Sequence, residues 1–354
     1  MIKILLLSRY SNLGASSRIR NYQYLPYLKA HGFRITVVPL LDDEYLKRLY
    51  ARRRIDWWRI FGSYCKRLRH LLTSRSYDLI WIEKELFPFT PAWAEALLSR
   101  MGIPYVVEYD DAVFHRYDMH SNKLMRVLFR SKIDVVMRQS AMVIVGNKYL
   151  AKRAQSAGAT RVEYVPSVID LERYILTSQH KNGIFTVGWI GAPVTAKYLH
   201  LVHSALAEVC QGGKGRLVLV GSGQIELDDV PTDIRPWSEE TEIEDLQSFD
   251  VGIMPLPDEP WERGKCGFKL IQYMACGKPV VASPVGVNEQ IVEDEVNGFL
   301  AATKEDWVRA LSALRDNHDL RERMGRASRK KVEANYCVQV TAPRLAELLR
   351  SVCK

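Results

Sequence analysis

At 354 residues, with 47% apolar and 26% charged residues, the chain has the composition of an ordinary globular protein and enough length for two domains with full cores. No apolar run approaches the ~20 residues that span a bilayer, and the opening MIKILLLSRYSN, which lacks a small-residue cleavage site, predicts a buried first strand rather than a signal peptide. Six scattered cysteines without a C-x-x-C predict reduced thiols in a cytoplasmic protein, with no zinc site. The net charge of +9 is local. Between Tyr45 and Arg75 ten Lys/Arg face one acid, Asp56, so the rest of the chain is close to neutral.

The first predicted strand, Ile2 to Leu7, runs into Ser8–Arg18, a loop of small residues that includes Gly14 and Ser16. Small residues after a first strand let backbone approach a ligand, and Ser16 or Ser17 can cap the next helix. A plain surface turn uses the same residues. Arg18 and Arg20 are the charged candidates here. A helix to about His31 and a strand, Phe33 to Val38, precede the basic segment, which reads as helical and carries Trp57 and Trp58 beside Arg52, Arg53 and Arg54. Cations next to aromatic and aliphatic residues suit an anionic membrane surface. The alternatives are a solvated basic helix whose tryptophans enter the core, or a nucleic-acid contact.

Further strands are predicted at 78–82, 104–108, 142–145 and 162–165, alternating with helices at 91–101, 123–139 and up to Ala157. Asp110 and Asp111 follow the strand that ends at Glu108. They stand where a ligand is met in a parallel sheet, or they cap the next segment and pair with Arg116. Residues 166–183 are polar, without a clear element, and form the predicted hinge. The second half restarts with a strand, 184–190, then Gly191 and Lys197 ahead of a helix to Cys210. A strand at 216–220 leads to Arg235-Pro236-Trp237, and a helix, 243–249, leads to the most informative stretch.

That stretch, Asp250 to Gly286, reads DVGIMPLPDEPWERGKCGFKLIQYMACGKPVVASPVG. It is strand, polar loop, short helix (268–275) and strand, the unit of a parallel sheet. The helix is entered through Gly267 with Lys269 in its first turn, and a helix N-terminus with a lysine fits an anion such as a nucleotide diphosphate. Beyond it, Asn297–Leu300 reads as a turn and strand, followed by helices at about 304–315, 320–335 and 338–352.

The stretch resembles the donor site of family 4 retaining glycosyltransferases, whose pattern is E-x-F-G-x-x-x-x-E-A-M-A-x-G-x-P-V-V-A. Met274, Ala275, Gly277, Pro279, Val280, Val281 and Ala282 match, and Gly267 takes the glycine of F-G. The two glutamates are replaced by Gly264 and Gln272, whereas Lys269, Leu270 and Tyr273 fit a subgroup that reads K-L-x-x-Y-M-A-x-G-K-P. The resemblance implies an α/β fold of two Rossmann-like domains facing across a cleft (GT-B): an acceptor domain, 1–166, and a nucleotide-sugar domain, 167–337, with helix 338–354 packing back on the first. It implies a retaining, metal-independent transferase without cofactor, moving sugar from a nucleotide-sugar donor to a glycan or lipid-linked acceptor in cell-surface polysaccharide assembly, with no role for nucleic acid.

By the same resemblance Lys269, with the Gly267 and Phe268 N–H groups, stabilises the leaving diphosphate, joined by Lys265 or Lys197. Gln272 stands for the ribose-binding glutamate, and Glu262 is the nearest acid to steady the sugar. Gly14, Ser16, Arg18 and Gly191 line the diphosphate. Trp237 either stacks on the base or packs in the core, and Lys197 either binds phosphate or is solvated. Asp110 and Asp111 serve the acceptor. A lipid-linked acceptor places the chain on the inner face of the plasma membrane. The alternatives within the architecture are a nucleotide-sugar epimerase and a non-catalytic glycan-binding or scaffold protein.

Overall fold

The computed structural model describes residues 1–50, 53–54, 56–176 and 183–353; Arg52, and residues 177–182 of the expected hinge, lie outside them. The chain forms two compact units, one of residues 1–167, 264–266 and 341–354 and the other of residues 168–263 and 267–340.

The first unit is built on β1 (Ile2–Leu7), β2 (Phe33–Val37), β3 (Leu79–Glu83), β4 (Tyr105–Tyr109), β5 (Met142–Val145) and β6 (Val162–Tyr164), in the order β2-β1-β3-β4-β5-β6. Every pairing is parallel. β3, β4 and β5 are buried along their whole length, as a sheet covered on both faces requires. The order reverses beside β1, so the carboxyl ends of β1, β3 and β4 form the switch point where open sheets take ligands.

The second unit repeats the plan with β7 (Phe185–Ile190), β8 (Gly215–Val220), β9 (Thr232–Arg235), β10 (Val251–Met254), β11 (Val280–Ala282) and β12 (Gly298–Leu300), in the order β12-β11-β10-β7-β8-β9, again all parallel. Its centre is set by two glycines. Gly188 of β7 and Gly252 of β10 are register partners. A Cβ on Gly188 would fall 1.9 Å from the Phe249 ring, and one on Gly252 2.2 Å from the Tyr273 ring. Helix Phe268–Ala275 therefore lies close on the sheet, with the buried Tyr273 hydroxyl accepting from Ile190 N at 2.9 Å.

Several sequence expectations need correction. The single helix 123–139 is two, Lys123–Phe129 and Lys132–Gln139, and the break lets Lys132 turn inward. The helix after Ser16 is interrupted by a 3-10 turn, Tyr22–Tyr24, before Leu25–Ala30, which takes Pro26 in its first turn. Neither serine caps it; its N-cap is Gly14. The helix after Gly191 is a short turn, Pro193–Ala196, a 3-10 stretch, Lys197–Val202, and a helix, His203–Cys210. The edge strand β9 was not expected, because four residues, TDIR, with two charges carry little strand signal. The hinge region holds a 3-10 turn, Leu171–Arg173, and the polar loop before Gly267 a helical turn, Pro260–Arg263. Among the described residues no helix is long and apolar enough to cross a membrane.

Overpacking a filled core costs about 1–3 kcal/mol. Gly188→Ala and Gly252→Ala, each driving a methyl into a ring, are expected to lower stability in denaturant titrations by at least that much, whereas Gly62→Ala, which meets nothing within 4 Å inside helix Trp57–Leu72, is expected to raise it by about 0.5–1 kcal/mol.

Candidate functional site

In the second unit the site grows from the carboxyl end of β7. Gly191 follows it, and a Cβ there would fall 2.5 Å from Lys269 Nζ and 2.7 Å from the Trp189 ring. Without that carbon the Lys269 ammonium rests 3.9 Å from the Trp189 ring centroid and 3.5 Å from Thr195 Oγ1. A cation over an indole gains about 0.5–2 kcal/mol, depending on solvent exposure. Gly267, the N-cap of the lysine's helix, has φ +65°, and a Cβ on it would meet Ile291 Cδ1 at 2.3 Å. The left-handed backbone and the packing both demand glycine.

Two buried acids of the second unit hold aromatic side chains. Glu262 is buried, accepts from the Tyr198 hydroxyl through Oε1, and has no hydrogen-bond partner for Oε2 among the described residues. Lys197, the neighbour of Tyr198, is exposed, its ammonium 5.2 Å from that ring. Glu242 accepts from the half-buried Trp237 indole at 2.6 Å and from the Tyr174 hydroxyl at 3.4 Å, and Tyr174 in turn accepts from Gln272 Nε2 at 3.3 Å. Gln272 is thus the buried end of a polar chain that holds Trp237 in place.

The first unit gathers charge at the carboxyl ends of β1, β3 and β4. Asp110 accepts from Ser16 Oγ at 2.5 Å and pairs with Lys84 at 3.0 Å; Lys84 also donates to Ser16 at 3.0 Å. Lys84 has φ +68°, a strained backbone for a non-glycine residue directly after a strand. Burial acts to raise Asp110, but Lys84 and Ser16 outweigh it and hold the carboxyl below its ordinary value. Asp111 goes the other way: burial raises it, Lys265 at 3.8 Å opposes, and the Asp110 charge adds to the rise. About a third of the Asp111 side chain stays open, at 32%, which tempers the burial effect.

Lys265 therefore sits against Asp111 in the first unit, and its carbonyl accepts from Asn147 at 2.9 Å. Gly264, at the place of the family's first glutamate, has Ala112 where a side chain would go, with the Ala112 nitrogen 2.7 Å from a built Cβ. No glutamate fits there. Gly14 is enclosed by Tyr10, 2.3 Å from a built Cβ, and Arg18 donates to the Asn12 carbonyl at 3.2 Å. Arg20 is buried, donating to Glu108 at 2.5 Å and to the Val165 carbonyl at 2.9 Å, so it is a structural cation and not a ligand candidate. Arg116 faces Glu85, at 3.9 Å.

Sequence reasoning passed over Lys84, Glu85, Tyr198 and Glu242. Lys84 and Glu85 could have been found by applying to β3 the rule used for β1 and β4, that the residues following a parallel strand meet the ligand. Tyr198 and Glu242 carry no local pattern; only the fold brings them to Glu262 and Trp237.

Residues 181–317 match the family model described as glycosyl transferases group 1. A D-inositol 3-phosphate glycosyltransferase of Saccharomonospora viridis is 30% identical over 112 residues, 31% of this chain and 25% of that protein. The chain thus aligns with only about a quarter of the curated relatives it matches. Among solved structures, the Anabaena protein HepE in complex with UDP-glucose is 18% identical, covering 99% of this chain and 100% of that one at a TM-score of 0.74. WaaG, a glycosyltransferase involved in lipopolysaccharide biosynthesis, is 13% identical, covering 98% and 99% at 0.69. The fold is the two-domain α/β architecture of the GT-B glycosyltransferases.

Under Asp110 lies Glu108, fully buried among Arg20, Asn21 and Trp81. Burial pushes its carboxyl up to about 7, against the opposing pull of Arg20. The folded chain then binds more protons than the unfolded chain between the ordinary glutamate value and about 7, so this group's stabilisation is full at acid pH and is lost as pH rises through 7. The span corresponds to about 3 kcal/mol. Melting temperatures of wild type and Glu108→Gln from pH 5 to 8 test this: the wild-type curve is expected to fall more steeply with pH. Parallel curves would refute it.

Proposed function

We propose that this chain is a retaining, metal-independent glycosyltransferase of the family 4 type, taking sugar from a nucleotide-sugar donor to a glycan or lipid-linked acceptor in cell-surface polysaccharide assembly. The observation that carries the reading is Lys269, held over Trp189 in the first turn of a helix whose N-cap is a left-handed glycine. A diphosphate leaving there gains charge in the transition state, and the lysine, the helix N–H groups and the dipole stabilise that charge more than they stabilise bound donor. These groups supply what a divalent cation supplies elsewhere. Glu262 Oε2 accepts a sugar hydroxyl, with Tyr198 fixing the carboxylate. The polar chain through Glu242 holds Trp237 against the nucleobase, and Asp111 accepts from the acceptor hydroxyl while Lys84 keeps Asp110 ionised. The UDP-glucose complex of HepE and the role of WaaG support the donor class and the pathway.

The test is release of labelled sugar from a panel of nucleotide sugars, with and without glycolipid acceptor. Acceptor-dependent transfer that survives excess chelator is expected, and Lys269→Ala is expected to lower kcat about 100- to 1000-fold with the fold intact. Epimerised donor without acceptor, or activity lost to chelator and restored by magnesium, would overturn the reading.

The same reading makes the chain a peripheral protein of the cytoplasmic face of the plasma membrane. Helix Trp57–Leu72 is capped by Asp56, which accepts from the N–H of Trp58 and Arg59. Its inner face carries Tyr64, Arg67 and Leu71; its outer face leaves Trp57 73% and Trp58 84% exposed, followed by Phe61, Leu68 and Leu72. The tryptophans do not enter the core. Arg53, Arg54, Arg59, Lys66 and Arg69 are exposed around this apolar stripe, and each cation near an anionic leaflet adds about 1 kcal/mol. Arg67 leaves the set of ten cations, because it is buried on backbone carbonyls. Sedimentation is expected with anionic and not neutral liposomes, weakening with salt and on Arg53→Glu with Arg54→Glu. Equal sedimentation with both lipids would sink the idea.

A further inference from the structure

A second stretch of the first unit exposes apolar side chains among cations and carries no acid. From Met119 to Ser131 the chain reads MHSNKLMRVLFRS, with Lys123, Arg126 and Arg130 and neither Asp nor Glu. Its helix, Lys123–Phe129, is capped by Asn122, which accepts from the N–H groups of Leu124 and Met125. Arg126 donates to the carbonyls of His120 and Ser121 and so fixes the turn ahead of the helix. Met125 and Phe129 pack inward, whereas Leu124, Val127 and Leu128 are each more than half exposed, beside the exposed Lys123 and Arg130.

An aromatic loop joins this helix to helix Trp57–Leu72. Tyr64 of the latter donates to the Pro88 carbonyl at 3.0 Å and lies 5.4 Å from the Phe87 ring, which stacks on Trp93 at 5.7 Å. On the other side the Phe89 N–H donates to the Tyr117 hydroxyl at 3.1 Å, the two rings meet edge to face at 5.7 Å, and Tyr117 lies 6.0 Å from Phe129. Phe89 has φ +57°, a strained backbone for an aromatic residue, yet its ring is left exposed. Trp93 and Leu97 are exposed as well, while the one acid of their helix, Glu95, is buried on the Leu86 N–H. We infer that helix Lys123–Phe129 makes a second contact with an anionic lipid leaflet, so that two helices and the loop between them hold the first unit to the membrane. Exposed aliphatic and aromatic side chains beside cations, with acids withheld, match acyl chains below a layer of phosphates. Three separate segments meet a fluid surface without needing a shared groove. This rests on the membrane reading of helix Trp57–Leu72 and adds the contact that stops the unit from rolling about a single helix.

The test places an environment-sensitive fluorophore on the whole chain, after the exposed Cys65 is replaced by serine. The label goes on Val127→Cys, on Phe61→Cys, or on Val296→Cys as an exposed control in the second unit. Vesicles of phosphatidylglycerol with phosphatidylcholine are expected to shift the emission to the blue at Val127 and Phe61 and not at Val296, and vesicles of phosphatidylcholine alone to shift none. Leu124→Glu with Leu128→Glu, both at the surface, is expected to weaken vesicle binding about tenfold or more with the melting temperature unchanged. A shift at Phe61 without one at Val127 overturns this inference and leaves the reading of helix Trp57–Leu72 standing. A shift at Val127 without one at Phe61 supports the new contact and overturns the earlier one. Undiminished binding of the double variant, or a blue shift at Val127 in concentrated protein without vesicles, which would assign the face to a second copy of the chain, also overturns the inference.

Discussion

Two glycines in register at the centre of a sheet set the geometry of the second unit. Gly188 and Gly252 lie side by side on β7 and β10, and the rings of Phe249 and Tyr273 occupy the space their side chains would fill. Helix Phe268–Ala275 can then settle low on the sheet, with Tyr273 clamped between the Ile190 N–H and the Ile253 carbonyl. From that position the first turn of the helix delivers Lys269 to Trp189. A third glycine, Gly191, clears the ammonium, and a fourth, Gly267, turns the chain into the helix. Packing decides the electrostatics here: a site that needs a fixed cation is built by removing carbon atoms around it.

The first unit solves a different problem, since it buries ionic groups against one another. Glu83, Glu85, Glu108 and Asp110 stand at strand ends among Arg9, Arg20, Lys84 and Lys132, and each acid is held by at least one cation or hydroxyl. Such pairs stabilise little in net terms, because desolvation offsets their attraction, but losing one partner is expensive. The arrangement therefore fixes positions more than it adds stability. Asp110 is pinned by Ser16 and Lys84, and that leaves Asp111, its more open neighbour, as the carboxyl that can serve an incoming group.

The parallel architecture was legible because β3, β4, β5 and β10 are short apolar runs separated by turn residues. The helix at 268–275 was legible from its bounding Gly267 and Gly277. The place of Lys269 in the first turn of that helix was legible for the same reason. The partners of Arg20 and Lys265, Glu108 and Asp111, were not legible because they are far away in sequence. In the sequence Gly264 stands where the resembled motif has its first glutamate, with Glu262 as the nearest acid. In the structure the reason is steric: Ala112 occupies the space, and Glu262, two residues earlier, is buried with one carboxylate oxygen left over.

The basic segment shows most plainly why a charge count differs from a charged surface. Ten cations between Tyr45 and Arg75 read as one patch. Helical periodicity divides them. Tyr64, Arg67 and Leu71 recur at three- and four-residue spacing on the inner face, and Arg67 gives its donors to carbonyls at the ends of the sheet. Trp57, Phe61, Leu68 and Leu72 recur on the adjoining flank, about a quarter-turn round the helix, and Arg59, Lys66 and Arg69 lie beyond them on the far side. An inner face of ordinary leucines would bury the helix by apolar contact alone and leave its rotation loosely specified. A guanidinium bound to three separate carbonyls admits one rotation and one depth. The buried arginine thus fixes the rotation of the helix, so the exposure of the apolar stripe follows from a cation that, among the described residues of the segment, is the buried one.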